Sequence, residues 1–155
     1  MLWFRMGALL HDVGKVSVPL AILNKDGKLD DDEWAVMARH PVYGVELVEG
    51  IEFPWDVRPM IRHHHERWDG SGYPDRRAGE GIPLEARILT VADVYDALTT
   101  TRSYRPAFPH RRAMEILRSE AGQTVDPELL AVFEREVAPR LSVDRVEGGS
   151  RAVAV

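Results

Sequence analysis

Five of the six histidines stand at His11, His40, His63, His64 and His65, each on or beside a segment whose apolar spacing is helical. Carboxylates accompany two of these places: Asp12 follows His11, Glu66 follows His65, and Asp69 lies three residues beyond Glu66. Two more, Asp93 and Asp96, fall in the middle of the most strongly helical stretch. Imidazole and carboxylate without thiolate form a hard-to-borderline ligand set. Such a set suits Fe, Mn or Zn in catalytic rather than structural sites, where open coordination positions activate water and hold a phosphoryl oxygen. Hydrolysis is the chemistry that follows. Each residue alone has a plainer reading: a single helical histidine is most often solvated or satisfied, Asp93 and Asp96 can be an exposed pair, and His63-His64-His65 a surface run. His110, between Pro109 and Arg111, is left with that plainer reading.

The elements that must position these groups are helices. Strand-like alternation is scarce, so the chain reads as an all-α domain with long loops. A first helix is expected over about residues 2 to 12, ending near Gly14, where the glycine permits a tight exit; Pro19 then opens an extended connection through Asn24-Lys25-Asp26-Gly27. Asp30 with Glu33 three residues later has the form of a capping box, and Trp34, Met37 and Ala38 begin an apolar face that Pro41 bends or restarts. Val45 and Val48 share a side of the next helix, which Gly50 closes, and Pro54 leads into another over about residues 56 to 67 that carries the three histidines. Residues 69 to 83, rich in Gly and Pro, read as a long functional surface loop. The strongest helix runs from Leu84 to about Thr100, with Leu89, Ala92, Ala97 and Leu98 available to a core. Helices near 109 to 120 and 126 to 137 follow, the second capped by Asp126 with Pro127 at its first position.

Composition narrows the function. The 155 residues contain no cysteine, which excludes a disulfide scaffold, a cysteine zinc finger, an iron–sulfur cluster and a cysteine nucleophile. The net charge of −5 argues against a protein that coats duplex nucleic acid, a task that needs a field of Lys and Arg. A small anionic ligand stays open. No window is long and apolar enough for a spanning helix, so a cytoplasmic protein without membrane insertion is expected.

Four segments combine these features in order. His11-Asp12-Val13-Gly14-Lys15 sets a nitrogen ligand, a carboxylate able to bridge, and a cation within five residues. His40-Pro41-Val42-Tyr43-Gly44 follows, then the run from His64-His65-Glu66 through Asp69-Gly70-Ser71-Gly72-Tyr73-Pro74, and last Val91-Ala92-Asp93-Val94-Tyr95-Asp96-Ala97-Leu98. In order and spacing they closely resemble the HD-GYP domain, a branch of the HD metal-dependent phosphohydrolases, from about Leu9 to Ala107. The resemblance implies an HD-type helical bundle over residues 1–141, and a centre of two or three divalent metal ions, commonly iron or manganese. It also implies hydrolysis of cyclic di-GMP to the linear dinucleotide or to GMP in bacterial signalling.

Position by position, the resemblance makes His11, Asp12, His40, His64, His65 and Asp93 the metal ligands, with Asp12 the bridge, and sets Lys15 beside the scissile phosphate. An ammonium there can offset charge on the phosphoryl oxygens or assist the leaving oxygen. Arg102 and Arg105 match positions that grip substrate phosphates; an arginine at a helix C-terminus can also simply complement the dipole. Gly72, Tyr73 and Pro74 are assigned to loop shape and to contacts with ligand or a protein partner. Glu66 and Asp69 are expected either to orient ligating imidazoles from behind or to cap the loop.

The chain departs from the pattern twice. The family has two helices and a histidine upstream of the His-Asp pair, whereas here ten residues without histidine precede His11. The expectation is a truncated gene product, a fragment starting at an internal methionine, or a degenerate copy, lacking one ligand and with apolar surface available for a homodimer. Where the family continues with Gly-Leu after Gly-Tyr-Pro, this chain has Asp75-Arg76-Arg77, so the loop is expected to pack differently. Two alternatives therefore accompany the phosphodiesterase reading: a binding module with impaired turnover, and an HD phosphohydrolase for another nucleotide phosphoester. Residues 142–155 are expected to be a disordered tail.

Overall fold

The structure, a computed structural model, describes residues 2–101 and 105–141. Among them are helices α1 (Leu2–Leu10), α2 (Leu20–Leu23), α3 (Asp31–Met37), α4 (His40–Val48), α5 (Arg58–His63), α6 (Leu84–Thr99), α7 (His110–Ser119) and α8 (Pro127–Glu136). Two 3₁₀ turns, Val13–Ser17 and Gly79–Gly81, complete the regular structure, and no strand occurs among the described residues. The all-α expectation holds. The tail from residue 142 and Arg102 lie outside the described residues.

The chain forms two compact units, Met1–Thr90 and the part from Val91 onward, so that the boundary falls within α6. In the first unit α4 packs against the Val13–Ser17 turn and against α5, and α5 packs on α1. Val48, Val57 and Ile61 form the buried centre there, with Leu10, Val13, Val45 and Phe53 against them. In the second unit Val91, Tyr95, Ala113, Met114, Leu117, Val125, Leu130 and Ala138 form the core. Ala92, expected in a core, is exposed; the buried positions of α6 are Ala86, Leu89, Thr90, Val91, Tyr95 and Thr99.

Local chemistry accounts for most boundaries. The Asp30 carboxylate accepts from Glu33 N at 2.9 Å, and Asp30 N donates to Glu33 Oε2 at 2.9 Å, which completes the capping box that starts α3. Pro41 sits in the first turn of α4 and restarts the chain as a new helix after α3 ends at Met37. Asp126 accepts from Glu128 N and Leu129 N to open α8.

The connection after Pro19 is not extended throughout, since Leu20–Leu23 form α2, and two helix boundaries also differ from the sequence reading. The first helix stops at Leu10, and Gly14 has another use: a Cβ built on it would lie 1.9 Å from His40 O and 2.4 Å from Gly44 N. Glycine is needed there for close backbone approach between the His-Asp turn and α4, not for a helix exit. The histidine helix ends at His63, so His64 and His65 lie in the turn beyond it. The Gly-Tyr-Pro segment folds back onto that turn, with Tyr73 N donating to His65 O at 3.2 Å. Gly72 is buried in the crossing, where a Cβ would stand 2.3 Å from Arg67 N.

Candidate metal centre

The first unit brings four of the sequence-predicted ligands together: one ligand atom each from Asp12, His40, His64 and His65 lies within 4.8 Å of the others. Asp12 comes from the turn after α1, His40 from the first residue of α4, and His64 and His65 from the turn after α5. His11 joins from the side, with Nε2 at 3.3 Å from Asp12 Oδ2 and its ring 4.9 Å from that of His64.

Three of the histidines are held by one device. Nδ1 of His11 meets Ala8 O at 2.7 Å, Nδ1 of His40 meets Met37 O at 2.9 Å, and Nδ1 of His64 meets Ile61 O at 2.8 Å. In each case the carbonyl belongs to the residue three positions earlier. A carbonyl only accepts, so Nδ1 carries the hydrogen and Nε2 keeps a lone pair. Those lone pairs turn towards one carboxylate: Nε2 of His40 is 3.3 Å and Nε2 of His64 is 3.7 Å from Asp12 Oδ1. The two Nε2 atoms are themselves 3.2 Å apart.

Convergent lone pairs repel unless positive charge sits among them. Asp12 Oδ1 is buried and has no hydrogen-bond donor. Protons are a poor answer, because burial lowers the His64 imidazole below its ordinary value and pushes His65 down to about 2. Burial raises the Asp12 carboxyl, whereas the Lys15 ammonium on its other oxygen favours the ionised form, and Asp12 lies below the usual carboxylate range. An anionic oxygen and neutral imidazole nitrogens without a donor among them fit a divalent cation. The Lys15 ammonium completes the rim, donating to Asp12 Oδ2 at 2.7 Å.

Tyr73 closes another side. Its ring stacks on His65 with centroids 4.8 Å apart and 22° between planes, and lies 6.5 Å from the His40 ring. The loop behind it hangs on Glu66, 1% exposed, whose carboxylate accepts from Asp75 N at 2.7 Å and Arg77 N at 3.1 Å. Of the two roles expected for Glu66 and Asp69, capping the loop is the one realised. Asp69 is exposed and accepts from Ser71 N and Ser71 Oγ at 2.8 and 2.6 Å. Neither orients a ligating imidazole; the imidazole near Glu66 is His63, at 3.9 Å.

Asp93 is half-buried on α6 in the second unit, and its role as a ligand rests on the resemblance. Arg105 is occupied at the end of α6: its guanidinium donates to Ala97 O at 2.7 Å and Leu98 O at 3.2 Å and lies over the Phe108 ring at 4.2 Å. These are the contacts that the helix-end alternative expects, and the phosphate-gripping role rests on the resemblance. His110 Nδ1 is 2.8 Å from the Tyr95 hydroxyl, a satisfied structural histidine.

Sequence reasoning missed three features. Arg62 forms a two-toothed ion pair with Asp75 at 2.8 and 2.7 Å across a separation of thirteen residues, which no local pattern announces. His63 is buried with Nδ1 at 3.5 Å from Asp75, although its spacing of three from Glu66 was there to read. Trp34 stands against Tyr73 at 5.9 Å, a contact between α3 and the loop that sequence spacing does not encode.

Turns and a helix that gather histidines and one aspartate around a point make a candidate centre for a divalent cation, of the kind a metal-dependent hydrolase uses. The sequence matches the HD domain family over residues 3–129, and the chain belongs to that family. It is 49% identical over 132 residues to the cyclic di-GMP phosphodiesterase response regulator RpfG of Xanthomonas campestris pv. campestris, covering 84% of this chain and 35% of that protein. It is 44% identical over 126 residues to the 3′3′-cGAMP-specific phosphodiesterase 2 of Vibrio cholerae, covering 80% of this chain and 24% of the relative. The chain thus spans only a quarter to about a third of these two relatives. The fold is also that of a crystal structure of a cyclic GMP-AMP specific phosphodiesterase of V. cholerae, with TM-score 0.68 and 20% identity over 95% of this chain and 40% of that one.

Proposed function

We propose that this chain is a metal-dependent phosphodiesterase that hydrolyses cyclic di-GMP to the linear dinucleotide or to GMP, acting in the cytoplasm. The observation that carries the reading is the convergence of Asp12 Oδ1 with Nε2 of His40 and His64 without any donor among them. Asp12, His40, His64 and His65 would hold the divalent ions, taken as two or three of iron or manganese, and His11 would supply a further ligand, a role that the resemblance also implies for Asp93. Such ions, when bound, provide Lewis acidity and a water nucleophile at neutral pH. The chain's own groups do the rest. The three carbonyls behind His11, His40 and His64 fix the imidazole tautomers, so no reorganisation is needed when an ion binds. Lys15 stands with its ammonium on Asp12, where it can offset charge on a phosphoryl oxygen or give a proton to the leaving oxygen. Arg102 is the cation proposed to hold a substrate phosphate. A homodimer through the exposed Leu9, Val16 and Leu20 of the first unit belongs to the same proposal; a monomeric mass at micromolar concentration contradicts that part.

The relative named as 3′3′-cGAMP-specific favours a second reading, in which the substrate is the mixed cyclic dinucleotide. One experiment separates them. The chain, loaded anaerobically with Fe(II) or Mn(II), is given equal cyclic di-GMP and 3′3′-cGAMP, and products are followed by chromatography. Faster loss of cyclic di-GMP, absent in Asp12→Ala, supports the first reading, and the reverse preference supports the second. Consumption of neither by metal-loaded protein contradicts both and leaves a binding module.

A further inference from the structure

Trp34 on α3 is 51% exposed, yet it is not an isolated surface aromatic. Its ring meets Tyr73 edge-on, 5.9 Å between centroids and 80° between planes. Tyr73 in turn lies flat on His65, at 4.8 Å and 22°. A shelf of rings therefore runs from a ligand of the metal centre outward and ends in open indole surface. Both ends of the shelf are fixed. The capping box starts α3 four residues before Trp34, and Lys25 adds an ion pair to Glu33 in the same turn. Tyr73 is tied by its own N–H to His65 O and by the loop that Glu66 holds.

We propose that the exposed face of Trp34 is the stacking surface for one purine base of the cyclic dinucleotide whose phosphodiester is held at Asp12, His40, His64 and His65. The inference rests on the phosphodiesterase reading and adds to it where the base sits. A single exposed tryptophan needs no explanation in itself. What selects a nucleobase as its occupant is continuity: the substrate carries a flat π-face joined through one sugar to the phosphate, and the protein carries a flat π-face two ring contacts from a ligand of the phosphate site. The chain is net negative, so a contact that does not depend on charge suits an anionic substrate here. Stacking is tolerant of base identity because every base has such a face. Trp34 therefore contributes affinity without choosing guanine over adenine.

The test uses the metal-loaded chain with three substrates: cyclic di-GMP, 3′3′-cGAMP, and methyl 4-nitrophenyl phosphate, a phosphodiester without a purine. Trp34→Ala is expected to lower kcat/KM roughly tenfold on both cyclic dinucleotides, mainly through KM, and to leave the purine-free diester within about twofold. Trp34→Phe is expected to restore most of the loss. A second readout needs no turnover: cyclic di-GMP mixed rapidly with the metal-loaded wild-type chain quenches tryptophan emission before product forms, and Trp34→Phe removes most of that quenching. Equal losses on all three substrates would show damage to the centre and overturn the inference. So would unchanged kinetics on the cyclic dinucleotides. A wild-type chain that cleaves the purine-free diester but neither cyclic dinucleotide overturns the functional reading itself, and this inference with it.

Discussion

Glu66→Gln is the substitution whose consequences the structure specifies most fully. The carboxylate is 1% exposed, and its two oxygens accept from two different main-chain donors, Asp75 N at 2.7 Å and Arg77 N at 3.1 Å. Glutamine keeps the volume but offers one carbonyl oxygen; its amide nitrogen must face the other N–H, donor against donor. One charge-assisted bond, worth about 1.5–3 kcal/mol, is lost outright, and the other falls to the neutral strength of about 1 kcal/mol. The expected loss is about 2–4 kcal/mol, or roughly 5–15 °C in Tm for a chain of this size. All four tryptophans, at positions 3, 34, 55 and 68, belong to the first unit, so their fluorescence in a urea titration reports the unit that contains the loop. A lowered midpoint with an unchanged slope is expected. A loss below about 1 kcal/mol would mean that the loop donors find other acceptors, and the role given to Glu66 would be wrong.

Gly14→Ala forces a methyl to within 1.9 Å of a carbonyl oxygen that cannot rotate away, so a loss of about 3 kcal/mol is expected in the same titration, together with weaker metal binding as the Asp12 turn leaves His40. Arg62→Asp or Asp75→Arg alone is expected to lower activity by loosening the Tyr73 loop, with the charge-swapped pair recovering most of it; a swap no better than either single variant contradicts that coupling. The pair also sets a pH dependence: Arg62 holds the Asp75 carboxyl below its ordinary value of 3.8, so its contribution is present above that pH and is lost as pH falls through the lower folded value. Acid titration of unfolding in Asp75→Asn should therefore show a shallower decline below pH 3.8 than the wild type.

The parts of this molecule that sequence makes legible are those encoded locally. The Asp30–Glu33 box, Pro41 at the head of α4 and Asp126–Pro127 at the head of α8 are spacings of three residues or fewer, and each starts a helix as read. The grouping of Asp12, His40, His64 and His65 was legible through the resemblance carried by four spaced motifs, even though α5 ends before two of them. What was not legible depends on chain crossing. Gly14 was read as a helix exit because its partner, the backbone of His40 and Gly44, is distant in sequence. Glu66 and Asp69 were read as alternatives because only the folded loop shows that main-chain N–H groups occupy their oxygens. Arg105 was assigned to phosphate from its motif, whereas the open carbonyls at the end of α6 engage the same guanidinium.

Metal binding tests the central claim most directly. The metal-free chain is dialysed anaerobically against Mn(II) or Fe(II), and bound metal per chain is measured by elemental analysis for the wild type, Asp12→Ala and His64→Ala, with circular dichroism to confirm that each is folded. At least one ion per folded wild-type chain is expected, with clear loss in both variants. A folded wild-type chain that retains no metal, or an Asp12→Ala chain that retains as much as the wild type, would contradict the assignment of Asp12 and its histidines as the metal centre.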